Sequence, residues 1–239
     1  MPTPEGVGRA LGLVRRRIES AGGDPGSIRV VAVTKGFGAD AVESALAAGL
    51  ADIGENYAQE LVAKHGELGP SAARARWHFL GAVQRNKVRM LAPLVDCWQG
   101  VARLTEGAEI ARRAAGATVL VEMDTTGSPG RNGCPPGEVP ELVGALGDLG
   151  LHVAGLMTIA SQDPAEAARG FRAVRETADR LGLYERSMGM TGDLELAVAE
   201  GSTMVRVGRA LFGDHPPRRR ALDDAAPVAA PPAPDGPDT

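Results

Sequence analysis

The sequence has few aromatic side chains and only two cysteines among its 239 residues. Aromatic residues make up 3% of the chain and hydrophobic residues 44%, so a sizeable core must be built from Val, Leu, Ile, Ala and Met. The cysteines, Cys97 and Cys134, do not have the spacing of metal ligands, so no metal site is predicted. We expect both to be free thiols in a reducing cytoplasm.

An excess of basic charge and a long apolar run are also lacking. The formal net charge is −4, which argues against nucleic acid as the main partner because phosphate binding requires a basic face. No apolar run reaches the roughly 18 residues of a membrane span, and residues 1–10 show no signal-peptide pattern. We therefore expect a cytoplasmic protein that binds neither membranes nor nucleic acid.

One stretch, residues 28–35, consists of β-branched and small apolar residues apart from Arg29, and it ends in Lys35. Such a run predicts a strand that is buried on both faces of a parallel sheet. Because a buried ammonium group is costly, Lys35 is expected where the strand leaves the core, at the edge where α/β proteins place their chemistry. A lysine there can attack an aldehyde as an amine nucleophile, although many lysines at strand ends have no such role.

The order of elements predicts a TIM (β/α)8 barrel preceded by an extra N-terminal helix over 4–21, whose apolar face is formed by Val7, Leu11, Val14 and Ile18. Roughly eight strand–helix units follow at a spacing near 25 residues, as in a TIM barrel. Strands are predicted at 28–35, 52–54, 77–81, 94–98, 118–123, 152–157, 184–188 and 204–207. An open doubly wound sheet is the alternative, because the strands near Ile53 and Met188 are weak. Residues 1–215 form the predicted barrel domain, and the Pro/Ala-rich segment 216–239 is predicted to be disordered.

Polar residues at several strand ends indicate a ligand site. Asn56 follows the second strand, His78 lies in the third, and Arg206 lies between Val205 and Val207 in the last. A buried arginine must be paired or directed at a ligand, and an ion pair inside the barrel is the structural alternative.

The loops after the last two strands, 187–191 and 208–210, are rich in glycine. In TIM barrels these two loops commonly form a phosphate site, because free backbone N–H groups and a helix N-terminus favour an anion there. No Walker or GxGxxG pattern is present, so nucleotide binding is not supported. A reactive lysine combined with a phosphate site suits a ligand that carries both an aldehyde and a phosphate, and pyridoxal 5'-phosphate (PLP) is such a ligand.

Several motifs, taken together and in order, resemble the pyridoxal phosphate homeostasis protein family. That family has a single PLP-binding barrel similar to the N-terminal domain of alanine racemase. The motifs are Val-Thr-Lys at 33–35, Gly-Glu-Asn-Tyr-Ala-Gln-Glu at 54–60, Trp-His-Phe-Leu-Gly at 77–81, Gln-Arg-Asn-Lys at 84–87, Gly-Leu-Met at 155–157, Ser-Met-Gly-Met at 187–190 and the stretch 201–213.

The resemblance implies that Lys35 forms a Schiff base with PLP. It also implies phosphate contacts from Ser187 and from the backbone of Gly208 and Arg209, with Arg206 near the pyridine nitrogen. The full set of cofactor-binding residues that it implies is Lys35, Asn56, His78, Met157, Ser187, Met188, Gly189, Arg206, Gly208 and Arg209, with Asn56 near the ring.

Two positions depart from the family pattern. The family usually has a second lysine two residues after the Schiff-base lysine, where this chain has Phe37. It also usually has a lysine in the loop after the fifth strand, where this chain has Arg131. Both family lysines are associated with exchange of PLP between sites.

The expected function is a carrier and buffer of PLP in intracellular PLP homeostasis, without turnover and without catalytic residues of its own. The alternative is a PLP-dependent amino-acid racemase, and a scaffold without a ligand is a third possibility. Racemases of this fold have a second, β-rich domain that supplies a tyrosine, whereas this fold is expected to end near Gly213 and contains only Tyr57 and Tyr184. PLP-dependent apo-enzymes are the candidate partners, and we expect a monomer or a weak dimer.

Overall fold

The computed structural model describes residues 2–214, and eight parallel strands in it form a closed barrel. Each strand pairs with the next in the chain, and β8 closes the barrel by pairing with β1. This confirms the predicted barrel and excludes the open sheet. The strands are β1 Arg29–Val33, β2 Asp52–Glu55, β3 Arg76–Phe79, β4 Cys97–Val101, β5 Thr118–Glu122, β6 His152–Met157, β7 Glu185–Ser187 and β8 Met204–Val207.

Helices surround the barrel, and the extra N-terminal helix is present as predicted. Its buried residues are the four apolar residues that the helical spacing selects, and it packs against α2, α8 and α9. The helices are α1 Pro4–Ser20, α2 Ala39–Ala47, α3 Ala58–Leu68, α4 Arg85–Leu91, α5 Leu104–Arg113, α6 Val139–Asp148, α7 Pro164–Arg180, α8 Leu194–Ala199 and α9 Arg209–Phe212, with a 3-10 helix at Gly69–Arg74.

The fourth strand lies at 97–101 instead of the predicted 94–98. Leu94 and Val95 instead form a turn after α4, where their backbone N–H groups donate to the Leu91 carbonyl. The strand includes Gln99 and Gly100, which are buried but are not typical strand residues. The sequence pattern placed this strand three residues too early because polar and small side chains here belong to the interior of a barrel.

Side chains alternate between the two sides of the barrel wall, as the strand repeat requires. In β1, Val30 and Ala32 belong to the main core between barrel and helices, whereas Val31 and Val33 do not. A second, small cluster contains Cys97, Leu120 and Met157, whereas the neighbouring Trp98, Val119, Val121 and Leu156 belong to the main core. The barrel interior is therefore only partly apolar, and it also receives buried polar side chains.

The predicted disordered segment 216–239 lies outside the described residues. Among the helices that the structure describes, none has the length and apolar character needed to cross a bilayer.

Candidate functional site

A cavity of about 300 Å³ opens at the carboxyl ends of the barrel strands. This is the face on which TIM barrels carry their active sites. Of the predicted residues, Asn56 lines the cavity, while Lys35 and the Gly208–Arg209 turn follow β1 and β8, the next strands around the closed barrel. The lining residues are Asn56, Leu80, Gly81, Ala82, Glu122, Met123, Asp124, Arg131, Asn132 and Ile159.

Lys35 lies in a turn two residues beyond β1, and the backbone on both sides of it is held by α3. Lys64 Nζ donates to the Thr34 carbonyl at 2.6 Å, and the Gly36 N–H donates to Glu60 Oε2 at 2.7 Å. Gly36 has a φ of +76°, a conformation that glycine adopts without strain. Within the described part of the chain, Lys35 Nζ makes no hydrogen bond or ion pair, so its amine is available to a ligand.

A buried ion pair lies under this turn, and sequence reasoning did not find it. Lys64 Nζ is 2.5 Å from Glu55 Oε1, and both side chains are buried. Burial raises the pKa of the Glu55 carboxyl, while Lys64 and a hydrogen bond from Thr34 oppose that rise. The pair therefore ties the end of β2 and helix α3 to the residue that precedes Lys35.

Arg206 is fully buried in β8, and its hydrogen bonds go to neutral acceptors. Its Nη1 donates to the Ser187 carbonyl at 2.7 Å and to Ser187 Oγ at 2.8 Å, and its Nη2 donates to the Thr158 carbonyl at 2.7 Å. Burial lowers the pKa of Arg206 to about 10, so the guanidinium remains charged at neutral pH. No carboxylate of residues 2–214 lies within ion-pair distance of Arg206, so the predicted alternative of an ion pair is not what the structure shows.

His78 lies in the barrel interior and not at the mouth beside Asn56. Its ring is fully buried, with Nε2 2.9 Å from Asp52 Oδ1 and Nδ1 2.8 Å from Gln99 Nε2. Strand alternation directs this residue of β3 inward, whereas the sequence suggested that it marks the exit of the strand. Both ring nitrogens are engaged, so His78 is unsuited to act as a base on a ligand at the mouth.

Ser187 also points into the interior. Its hydroxyl donates to Gln99 Oε1 at 2.6 Å, which uses its single hydrogen, and its oxygen accepts from Arg206. This geometry directs the Ser187 hydroxyl at the barrel interior, whereas the resemblance implied a phosphate contact.

The turn at the start of α9 is the part of the predicted phosphate site with available donors. Gly208 is the N-cap of α9 and supplies no side-chain cap, and Thr191 Oγ1 accepts from the Ala210 N–H at 3.4 Å, so the Arg209 N–H is left for another acceptor. A side chain at position 208 would come within 3.2 Å of the Val33 carbonyl, so the glycine keeps the turn close to the end of β1. The Arg209 side chain is exposed, which leaves its backbone N–H as its contribution.

The remaining predicted residues occupy two environments. The Met188 side chain belongs to the main core, and Gly189 accepts the backbone N–H of Arg206 at 2.9 Å through its carbonyl. Met157 lies in the small interior cluster with Cys97 and Leu120. The Met188 and Met157 side chains therefore lie behind the mouth as packing residues.

Residues after β5 line the cavity and were not predicted as site residues. Asn132 Nδ2 donates to Glu122 Oε2 at 2.5 Å, and Arg131 Nη1 donates to the Ile159 carbonyl at 3.1 Å. Burial raises the pKa of the Glu122 carboxyl, and the hydrogen bond from Asn132 opposes that rise. Sequence patterns did not single out Glu122, because it continues a strand of apolar residues.

We expect Glu122→Gln to stabilise the protein at neutral pH. A folded-state pKa above the ordinary 4.5 means that this group contributes stability below that pH, and that the contribution is lost as pH rises through the raised pKa. The amide can still accept from Asn132, so melting temperature should rise by roughly 2–4 °C at pH 7.5, the shift of about 1 kcal/mol in a domain of this size. The gain should vanish near pH 4 in thermal melts. The exposed Glu141→Gln serves as the control, and an equal gain at both pH values would contradict the prediction.

The class of protein follows from comparison of this barrel with known families. Residues 15–216 match the sequence model of the family described as "Alanine racemase, N-terminal domain". The structure is similar to that of an unknown protein from Bifidobacterium adolescentis, with a TM-score of 0.81 and 35% identity over 87% of this chain and 94% of the other.

More specific relatives share the whole barrel. The "Pyridoxal phosphate homeostasis protein" of Pseudomonas aeruginosa is 38% identical over 218 residues, which cover 87% of this chain and 94% of that protein. PipY of Synechococcus elongatus, solved with PLP bound, has a TM-score of 0.72 and 32% identity over 84% of this chain and all of PipY. The chain belongs to the pyridoxal phosphate homeostasis protein family.

Proposed function

We propose that this protein binds PLP at the mouth of the barrel and holds it through a Schiff base to Lys35, as a carrier and buffer of the cofactor. The observation that carries the proposal is the Lys35 amine, which has no partner among residues 2–214 and follows β1 beside the α9 turn. The relatives named for PLP homeostasis and the PLP-bound PipY support the same ligand.

The residues present fit PLP in charge and in donor type. The Lys35 amine suits an aldehyde, and the Arg209 N–H at the start of α9, where Gly208 supplies no side-chain cap, suits a phosphate. Arg206 has five N–H bonds, of which three donate within the described chain. The N–H of Nε and one N–H of Nη2 are left for a ring nitrogen. Asn56 lines the cavity beside the place for the ring. PLP supplies an aldehyde and an electron sink when bound.

The proposed role includes no catalytic turnover of its own. A racemase needs acid/base groups on both faces of the bound substrate. His78 is engaged inside the barrel, and Tyr184 is 69% exposed immediately before β7, at the opposite end of that strand from the mouth. Tyr57, which caps α3, is 45% exposed and lies on the side of the mouth. An amino-acid racemase remains the alternative function, with Tyr57 as its one tyrosine near the site.

We expect the PLP-loaded protein to show no rapid exchange of the Cα hydrogen of common amino acids. The reason is that racemisation needs acid/base groups on both faces of the bound substrate, whereas His78 is engaged inside the barrel and Tyr184 lies at the other end of β7. The measurement is NMR of alanine and serine incubated with the loaded protein in heavy water, with an amino-acid racemase as positive control. Exchange that is saturable and is lost in Lys35→Ala would establish the enzyme and contradict the carrier role.

The finer parts of the proposal concern setting and partners. We propose that residues up to 215 form the PLP-binding unit, that the protein acts in the cytoplasm as a monomer or weak dimer, and that PLP-dependent apo-enzymes receive the cofactor. Loss of PLP from the loaded protein to an added apo-enzyme, followed as recovery of that enzyme's activity, tests the last of these.

A further inference from the structure

A line of buried polar side chains crosses the barrel interior from Arg206 in β8 to Asp52 at the start of β2. Between these ends lie Ser187, Gln99 and His78, and each of the three is fully buried. The line begins behind the mouth and ends at the amino-terminal end of the strands, the opposite face from the cavity. Contact with a ligand at the mouth of the barrel does not account for a line that extends to the opposite face.

The hydrogen bonds along this line all run in one direction. Arg206 Nη1 donates to Ser187 Oγ at 2.8 Å, and the Ser187 hydroxyl donates to Gln99 Oε1 at 2.6 Å. Gln99 Nε2 lies 2.8 Å from His78 Nδ1, and His78 Nε2 lies 2.9 Å from Asp52 Oδ1. A guanidinium can only donate and a carboxylate can only accept, so the two ends determine the role of every group between them.

The state of both ends supports this direction. Burial works against ionisation of Asp52, but the hydrogen bond from His78 and the charges of Arg29 and Arg76 hold the pKa of Asp52 below its ordinary value of 3.8. Gln99 Nε2 also lies 3.2 Å from Met204 Sδ, a weak acceptor, which agrees with the amide nitrogen on that side. His78 Nε2 therefore carries a hydrogen towards the Asp52 carboxylate, and Nδ1 accepts from Gln99.

Reversal of the Gln99 amide would have a free-energy cost at the Ser187 hydroxyl. If Gln99 turned its amide, its NH2 group would face the Ser187 hydroxyl and its oxygen would face His78 Nδ1. The Ser187 hydrogen would then be left without an acceptor in a buried site, which costs about 1–3 kcal/mol. The hydroxyl would have to rotate, and its lone pair would leave the guanidinium of Arg206.

We infer that Gln99, His78 and Asp52 are positioning residues for Arg206, and through it for the pyridine ring of the bound cofactor, although none of the three reaches the mouth. The part of this inference that concerns the ring rests on the proposed function. The part that concerns the direction of the hydrogen bonds stands on the unloaded protein alone.

The first test uses the unloaded protein and the nitrogen-15 NMR signals of its histidine rings. We expect the signals of His78, assigned by their absence in His78→Gln, to be those of the Nε2–H tautomer. In Gln99→Glu both neighbours of the ring accept, so His78 should take a second proton and show the imidazolium signals. An Nδ1–H tautomer in the unmodified protein, or an unchanged ring in Gln99→Glu, would overturn the direction of the line.

The second test measures PLP binding and the visible absorption spectrum of the loaded protein. Gln99→Met removes both links of the amide, and we expect PLP affinity to fall roughly tenfold, equivalent to about 1.4 kcal/mol, with a shift of the absorption maximum. The exposed Gln162→Met should leave both unchanged. A purely structural role would lower the melting temperature without moving the absorption maximum, and that result would overturn the inference.

Two further outcomes have defined consequences for the inference. If Gln99→Met does not fold, Ser187→Ala removes the link next to Arg206 with the loss of one oxygen, and the same two readouts apply. If the unmodified protein binds no PLP, the proposed function and the positioning of a ring fall together, while the NMR result still decides the direction of the hydrogen bonds.

Discussion

Lys35→Ala is expected to abolish covalent attachment of PLP altogether. The chain contains three lysines, Lys35, Lys64 and Lys87, so few amines can replace the missing one. Lys64 is buried and its Nζ is committed to Glu55 and to the Thr34 carbonyl. Only Lys87, in the first turn of α4, remains as a side-chain alternative, and we do not expect it to react.

The barrel itself should survive this substitution. The Lys35 side chain is half-buried and makes no hydrogen bond or ion pair within residues 2–214, and the turn is held by backbone contacts to Glu60 and Lys64 that Ala leaves in place. The melting temperature of unloaded Lys35→Ala should therefore stay within about 2 °C of the unmodified protein, as for substitutions that remove no packing.

The measurement combines the visible absorption of the loaded protein with borohydride reduction and peptide mass analysis. The unmodified protein should carry the reduced cofactor on Lys35, Lys87→Ala should do the same, and Lys35→Ala should carry none. A reduced cofactor found on Lys64 or Lys87 in the unmodified protein would show that the assignment of Lys35 is wrong.

At both positions that depart from the family pattern, the side chain makes contacts within the protein. The Phe37 ring packs at 5.5 Å from the Phe212 ring of α9, and Arg131 donates to the carbonyls of Ile159 and Ala160. Neither position offers an amine near Lys35. If family lysines at these positions assist exchange of PLP, this protein should hold its cofactor through Lys35 alone.

The sequence predicted the barrel and the place of Lys35 because both depend on local patterns. Residues 30–33 are apolar without interruption, and a lysine just after such a run has one sterically and electrostatically reasonable position, where the strand leaves the core. The turn at Gly208 was predictable for the same reason, since it follows the last apolar strand.

The directions of His78 and Ser187 could not be predicted from the same patterns. β3 has four residues and β7 has three, too few for an alternation to show which side faces inward. The interior is also polar here, so the usual apolar signal of an inward residue is absent. The partners Asp52 and Gln99 come from other strands, and only the closed barrel brings them to His78.

The pair of Glu55 and Lys64 shows a different limit. The two residues are nine positions apart, on β2 and on α3, and their contact depends on how the helix packs against the strand. An isolated buried lysine in a helix has no sequence signature. Its consequence for Lys35, the bond from Lys64 to the Thr34 carbonyl, is therefore visible only in the structure.

Lys64→Met is expected to destabilise the protein by about 3–5 kcal/mol, because removing one partner of a buried pair leaves the other charge uncompensated. Glu55 would be that charge, and its Oε2 already has no hydrogen-bond partner within the described residues. The melting temperature should fall by roughly 10 °C at pH 7.5, at 2–4 °C for each kcal/mol in a domain of this size.

The loss should shrink as the pH falls, which separates an unpaired charge from lost packing. Burial already raises the pKa of Glu55, and removal of Lys64 raises it further, so protonation at acid pH removes the uncompensated charge. The double variant Glu55→Gln with Lys64→Met should recover most of the stability at pH 7.5, since neither buried charge remains. The matched control is Arg112→Met, which breaks an exposed, solvent-screened pair with Glu109 and should leave the melting temperature almost unchanged. Thermal melts of the four proteins decide the matter, and a Lys64→Met loss as small as that of Arg112→Met would mean that the buried pair does not stabilise the Lys35 turn.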